Sequence, residues 1–384
     1  MTTPTATKPG SAPQAPPRPF PFPVGVYDAE SQDGGQMSLV QTAAAQQFPI
    51  YNVSPTGWVR GIWCDVAMIV SGNVTNNVSY SKDNPFSAIQ KITLRDLGQQ
   101  AIIGPLAGYD WMVLNKLGGY QSVGDPRADI TFTATTGTGS SGGSFTFSLY
   151  LPFEFVQRDG LGVAENQSKP GWTVEVFMDS QANTYNQVPS VFGTMSLTWY
   201  PVSYTKPIAA APSGRPFMQA PPKAGTLQFW RSENQAMPAS ASQYDLVNGV
   251  GFPIRNIIYK TVDTSAGTRA AGDADFPNPA TLQYGNVIQF AKTRLRWESE
   301  MGRVFGWFNT TPDTALAREN AVYAWWRTQD FALEAGNELR YRYLDTATNT
   351  LVRLSGTFAA TSTLFALTNW IAPVNKDYYS LIGG

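Results

Sequence analysis

The chain has 384 residues, 42% hydrophobic and 13% aromatic but only 14% charged, and its 27 Lys+Arg against 28 Asp+Glu leave a net charge of −1. It has no His and one Cys, Cys64, which excludes His-based triads, His general bases, thiolate zinc sites and an internal disulfide. Balanced charge argues against a dedicated, sequence-specific nucleic-acid binder, and apolar runs such as Val66–Val70 fall far short of the ~20 residues of a membrane-spanning helix.

Residues 1–23 carry eight prolines, at 4, 9, 13, 16, 17, 19, 21 and 23. Proline fixes φ and has no N–H, so residues 1–45 are expected to form an extended, polyproline-like arm. No charged-then-apolar leader is expected there. The arm is either a solvated tail or a docking segment. Pro19, Phe20, Pro21, Phe22 and Pro23 are its candidate assembly residues, because a solvated tail has little use for paired phenylalanines.

From 46 to 205 the pattern is that of an all-β domain. Strand-like runs cover Phe48–Val53, Trp58–Ser71, Val74–Tyr80, Ile89–Leu94, Asp129–Ala134, Ser144–Val156, Thr173–Met178 and Val191–Tyr204. They are rich in β-branched and aromatic residues and are separated by turn clusters. In Ser144–Phe155, Phe145, Phe147, Leu149 and Leu151 alternate with polar residues, the period of a half-buried strand. Only Tyr109–Leu117 reads as helix, opening near Asp110 and closing at Gly118-Gly119.

Residues 206–223, with five prolines from Pro207 to Pro222, are expected to link this domain to a second at 224–375, leaving a tail at 376–384. Strand candidates in the second half are Thr226–Arg231, Pro253–Val262, Thr281–Phe290, Ala321–Arg327, Leu339–Leu344, Thr350–Phe358 and Thr363–Ile371. Helices are expected over Thr293–Phe305 and from Thr311-Pro312-Asp313. Phe48–Val53 echoes Phe252–Ile257, and Leu197–Val202 echoes Leu367–Val374. The second pair closes each half, a hint of two tandem copies of one β-domain.

Motifs that carry chemistry elsewhere have plainer readings here. Gly137-Thr-Gly139-Ser-Ser-Gly142 matches a dinucleotide fingerprint, but it lies between two strands rather than before a helix, and a hairpin loop is expected. Asp263, Asp273 and Asp275 fit no calcium loop spacing. Glu154, Asp159, Glu165 and Glu175, and the pair Glu298 and Glu300, are the acids available for glycoside chemistry, with nothing tying two of them to one cleft. Lys292, Arg294, Arg296 and Arg303 form the densest basic cluster. Arg294–Glu298 and Arg296–Glu300 are i,i+4 pairs, so a salt-bridged helix face is expected. Trp325-Trp326 and Trp199-Tyr200 are either core and subunit contact or a sugar-stacking platform. No catalytic, metal or cofactor residue is assigned.

The order of these motifs resembles the major capsid proteins of tectiviruses, icosahedral membrane-containing bacteriophages. Phe48–Val53 followed by Gly57–Ile62 looks like strands B and C, and Ile89–Leu94 like strand E before a helix. Leu151-Pro152-Phe153 looks like the end of strand G, and Trp199–Thr205 closes the first barrel. Arg294–Phe305 looks like the helix before strand F of the second barrel, and Val322–Arg327 like that strand. The Pro-rich arm departs from the polar, helix-prone N-terminus of that family. The resemblance implies an all-β chain of two tandem eight-stranded antiparallel jelly rolls with a few short helices. It further implies a non-enzymatic, homotrimeric, pseudo-hexagonal capsomer in a virion shell assembled in the host cytoplasm. Its partners would be neighbouring capsomers, penton and minor capsid proteins and an internal viral membrane. A carbohydrate- or receptor-binding β-sandwich protein, such as a phage spike, is the alternative.

Overall fold

The computed structural model describes residues 18–373 except 73, 82, 84, 121–129, 156–159, 168–170, 222–224, 264–267, 270–275, 308–320, 327–342 and 360. The principal strands of the first half are β1 (Asp33–Val40), β2 (Tyr51–Asn52), β3 (Gly57–Ile69), β4 (Ile89–Arg95), β5 (Ala101–Leu106), β6 (Phe145–Pro152), β7 (Thr173–Met178) and β8 (Thr194–Tyr204). Those of the second are β9 (Thr226–Met237), β10 (Ala241–Asp245), β11 (Pro253–Asp263), β12 (Ala280–Tyr284), β13 (Val287–Lys292), β14 (Ala321–Trp326), β15 (Val352–Thr357) and β16 (Ser362–Pro373). Helix α1 (Gly108–Leu117) follows β5, and helix α2 (Arg294–Phe305) follows β13.

Pairing within each half repeats one order. The first half forms an antiparallel sheet β1-β8-β3-β6 and a second, β2-β7-β4-β5. The second half forms β9-β16-β11-β14 and β10-β15-β12-β13. In both, the first strand pairs with the eighth, the eighth with the third and the third with the sixth, which is jelly-roll connectivity. The all-β, double jelly-roll expectation is met. Inward residues supply the core: on β6, Phe145, Phe147, Leu149 and Leu151 are buried, and β3 matches them with Ile62, Cys64, Val66 and Met68. A smaller sheet is formed by Val74–Tyr80, Gly137–Gly139 and Tyr185–Gln187; the Gly137–Gly142 motif lies in the connection between Thr133–Ala134 and β6, and its first three residues are the strand that pairs with Val74–Tyr80.

Several expectations are corrected. Segment 28–40, expected in the arm, is sheet: Asp28–Glu30 and β1 both pair with β8. Gly34-Gly35 hid β1, but Met37 and Leu39 alternate with polar residues and pack on the core. Strand B is therefore β1, and Gly57–Ile62 opens the third strand, D, rather than C. β5 was also missed, because Gly104-Pro105 interrupts its run and proline gives no ladder donor. Both helices consequently lie after strand F and before G, and Ala321–Trp326 is G. Thr281–Phe290 is a hairpin rather than one strand, turning at Gly285 with φ +57°. Asp129 is outside the described residues, and of that run only Thr133–Ala134 pairs with β6. The helix expected from Thr311, most of Leu339–Leu344, and the 376–384 tail also lie outside them.

The two halves share a sheet. β5 runs parallel to β9, with Ile103 opposite Trp230, and Arg231 Nη2 donates to Ala101 O at 2.7 Å. The C-H-E-F sheet of the first jelly roll thus continues into the B-I-D-G sheet of the second, giving eleven strands among the described residues.

Candidate functional site

Helix α1 sits where the two jelly rolls meet. Asp110 in its first turn and Lys116 in its last suit the helix dipole, and its ten residues are all buried. Gly108 opens it because a Cβ there would lie 1.9 Å from Phe86 O, a separation no side chain tolerates. The helix closes the open edge of β6. Asn115 Nδ2 donates to Tyr150 O at 2.7 Å, Tyr150 N donates to Asn115 Oδ1 at 2.6 Å, and Trp111 Nε1 donates to Tyr150 O at 2.8 Å. One asparagine side chain thereby stands in for a neighbouring strand, satisfying an edge that would otherwise recruit one.

The other side of α1 faces the second jelly roll. Asp110 forms a hydrogen-bonded ion pair with Lys260 of β11, their side chains 6% and 7% exposed. Lys260 Nζ also lies 4.8 Å from the Phe365 ring centroid. Asn256 Nδ2 donates to Leu117 O at 3.1 Å, capping the last turn. Beyond it, Gln228 bonds Tyr120 Oη at 2.8 Å, and Trp230 Nε1 donates to Gln228 Oε1 at 3.1 Å. Asn369 Nδ2 donates to Gln228 Oε1 at 3.2 Å and to Phe229 O at 3.0 Å. The buried Arg255 guanidinium donates to Asn369 Oδ1 at 3.2 Å and to Tyr120 Oη at 3.3 Å. A buried polar network of this kind favours one relative placement of the two barrels, since sliding would break the bonds that join them.

The second place is the N-terminal segment. Phe22 is fully buried among Trp58, Val163 and Tyr204, meeting Trp58 and Tyr204 edge to face at 5.7 and 5.8 Å. Phe20 lies 5.3 Å from Phe217, with the Arg215 guanidinium 4.0 Å over its ring. Phe20 N donates to Pro216 O and Met218 N to Phe20 O, both at 2.9 Å. Pro19 and Pro21 are exposed and Pro23 is half-buried. Phe20 is thus held against the chain's own 206–221 stretch, whose Arg215 and Phe217 carried no sequence signal beyond their Pro-rich surroundings, while Phe22 packs on Trp58 and Tyr204. Residues 1–17 lie outside the described residues.

The same side holds Arg60, which donates to Glu154 Oε2 at 2.7 Å and to Asp28 Oδ1 at 2.8 Å. Burial pushes the Glu154 carboxyl up, against the opposing pull of Arg60 and of the Tyr204 hydroxyl. The candidate acids do not converge. Glu154 belongs to Arg60, Glu175 to Arg95 at 3.1 Å, and Glu300 to Lys292 and Arg296. Glu298 accepts from Tyr323 at 3.5 Å. Glu165 is exposed in the middle of the short strand Ala164–Asn166 beside β3, and Asp159, Asp273 and Asp275 are outside the described residues. Of the two expected i,i+4 pairs on the basic helix face, Arg296–Glu300 forms at 3.2 Å, whereas Glu298 bonds Tyr323 rather than Arg294. Trp199 is buried and stacked on Tyr51 at 4.8 Å, and Trp325 is buried; both are core. Among the described residues no cluster of three potential metal ligands occurs, and no helix is long and apolar enough to cross a membrane.

No family model matches the sequence, and no curated protein matches it. Solved structures do. The major capsid protein of Sulfolobus Turreted Icosahedral Virus superposes with a TM-score of 0.61 at 10% identity, covering 93% of this chain and 99% of that one. The major capsid protein of bacteriophage PM2 gives 0.52 at 10% identity, covering 92% and 100%. The Faustovirus major capsid protein gives 0.52 at 8% identity, covering 94% and 92%. At such identities the likeness is one of fold, extending over both jelly rolls and their junction.

Proposed function

We propose that this chain is a structural coat subunit, a major capsid protein that builds an icosahedral virus shell by self-association rather than by catalysis. The observation that carries this reading is the fusion of two jelly rolls into one block by a shared sheet and a buried polar seam, an arrangement spanning nearly the whole length of the capsid proteins it resembles. Enzymes place polar groups around a cleft. Here the concentrated polar chemistry lies between two domains, where it sets their relative position. A surface with few charges suits a protein that other copies cover.

The finer reading is a homotrimer in which six jelly rolls make a pseudo-hexagonal block. Two similar barrels per chain let three chains approximate six-fold positions. The narrower placement in a tectivirus-type phage rests on the order of sequence motifs, as do penton and minor capsid partners and an internal membrane. Within the arm, residues 1–17 are assigned the contacts with neighbours or the shell interior, because Phe20 and Phe22 are already committed to their own chain.

Native mass by light scattering behind a sizing column tests the reading. A species near three times the 41.9-kDa subunit, about 126 kDa, is expected, and a monomer at all concentrations overturns it. Deleting residues 1–17 should leave that species intact and reduce shell yield in electron micrographs; unchanged yield removes the arm from assembly.

A further inference from the structure

Inside one chain, the first jelly roll meets the second through two elements: the edge of its F strand, β5, and the helix that follows, α1. They dock on the B strand β9 and on the outer face of the β9-β16-β11-β14 sheet. Because both halves share one topology, the chain carries the same two sets of elements a second time, and there, among the described residues, they leave more side-chain surface exposed. β13, the second F strand, ends its sheet, with Val287 61% and Ile288 62% exposed. Whereas α1 is buried throughout, α2 buries only Trp297, Glu298 and Met301 and leaves Leu295 76% exposed. On the other half, β1 lies at the rim of its sheet beside β8, with Val40 51% exposed.

The outer face of that sheet follows from register, since paired residues share a face. Its rows are Val40–Thr194–Ile69, Ser38–Ser196–Ala67–Thr146, Thr198–Asp65–Ser148 and Tyr200–Trp63–Tyr150. Ile69 is 60% exposed. Hydroxyls, aromatics and aliphatics fill these rows, and Asp65 is their one charge. Low charge with aromatic content is the composition of an interface core.

The charges complete the match. Asp110 is the third residue of α1 and meets Lys260 on the D strand β11. Arg296 is the third residue of α2, and Asp65 lies on the D strand β3. The signs are inverted: acid on helix and base on sheet within the chain, base on helix and acid on sheet between the two unmated faces. Arg296 pairs with Glu300 at i,i+4 with its side chain 68% exposed, a contact that exchanges at little cost.

We propose that a second copy of this chain docks its β13–α2 face on the β1-β8-β3-β6 outer face of its neighbour. The dock repeats between copies the seam made within each one and sets Arg296 against Asp65. The inference rests on the coat-subunit reading and specifies the surface that reading needs. The contact is head-to-tail, so it closes into a ring when the rotation permits.

The test compares the wild type with Asp65→Arg, Arg296→Asp, the double exchange, and Leu295→Glu, which touches neither charge. Light scattering over a dilution series reads association, and a thermal unfolding transition checks each fold. Like charges facing each other across the dock should weaken association by at least about tenfold in each single charge variant. The double exchange should restore it, and Leu295→Glu should weaken it in the same direction. A wild-type oligomer that none of the single substitutions weakens, or that the double exchange fails to restore, overturns this interface while leaving the coat-subunit reading standing. A wild type that stays monomeric overturns that reading itself.

Discussion

Replacing Asp110 with Ala leaves the Lys260 ammonium buried beneath α1 with its carboxylate gone. Both side chains are nearly inaccessible to water, so solvent cannot take the partner's place. Breaking such a pair from one side costs about 3–5 kcal/mol, a factor of roughly 10²–10⁴ in the unfolding equilibrium. The Phe365 ring near Lys260 Nζ offsets part of this, about 1–2 kcal/mol for a desolvated cation–π contact. Removing both charges together, as Asp110→Leu with Lys260→Met, should bring stability back to within about 1 kcal/mol of the wild type or above it, because neither ion then has to be desolvated. Urea unfolding of the four proteins gives the coupling directly. The reasoning is refuted if Asp110→Ala costs under about 1 kcal/mol, or if the double variant is no more stable than the weaker single one. Either result would mean that water reaches the seam or that Lys260 finds another partner.

Further predictions concern single groups. Asn115→Leu removes both bonds to the Tyr150 backbone; Trp111 still serves the carbonyl, so the orphaned N–H should cost about 1–3 kcal/mol, measured by denaturant unfolding. Phe22→Ala empties the site against Trp58 and Tyr204; a loss of about 3–5 kcal/mol is expected, with protease cleavage appearing near residues 18–27. Burial raises the Asp33 carboxyl, but bonds from Ser54 and Tyr51 outweigh it and hold it below the usual carboxylate range. Its contribution is therefore complete above about pH 4 and is lost as pH falls through the folded value; Asp33→Asn should flatten the acid limb of the stability profile. Cys64 is fully buried, and burial, with Asp65 adjoining, pushes its thiol well up, so a thiol reagent should label it only after unfolding.

Much of the fold was legible because it is written in local period and punctuation. Val74–Tyr80 and Thr173–Met178 were read to the residue, since alternation and β-branched content are properties of a single strand. Helix α1 was legible from Asp110 at its start and Gly118-Gly119 at its end, and α2, expected over Thr293–Phe305, is closed by Gly306 in the left-handed region, φ +62°. β1 and β5 were missed because Gly34-Gly35 and Gly104-Pro105 break the local pattern; what makes them strands is the neighbour each acquires, β8 for one and β4 with β9 for the other. Missing them shifted the strand lettering of the first half, and reading the β12–β13 hairpin as one strand did the same in the second.

The functional surfaces divide in the same way. Composition alone pointed away from His-based catalysis, through absent His, and toward association, through sparse charge and abundant aromatics, because composition sets the average chemistry of a surface. The arm residues Phe20 and Phe22 were picked out by type, but their partners, Phe217, Trp58 and Tyr204, became visible only in three dimensions. Asp110 was legible as a helix-start residue. Its ion pair with Lys260, 150 positions away, was not, because long-range pairing is fixed by which sheet faces the folded chain lays together. Local pattern and composition were enough for most strands, two helices and a chain suited to self-association. The tertiary structure alone decided that one helix is sealed within the molecule while its counterpart stays open, since burial belongs to what packs against a face and not to the residues on it.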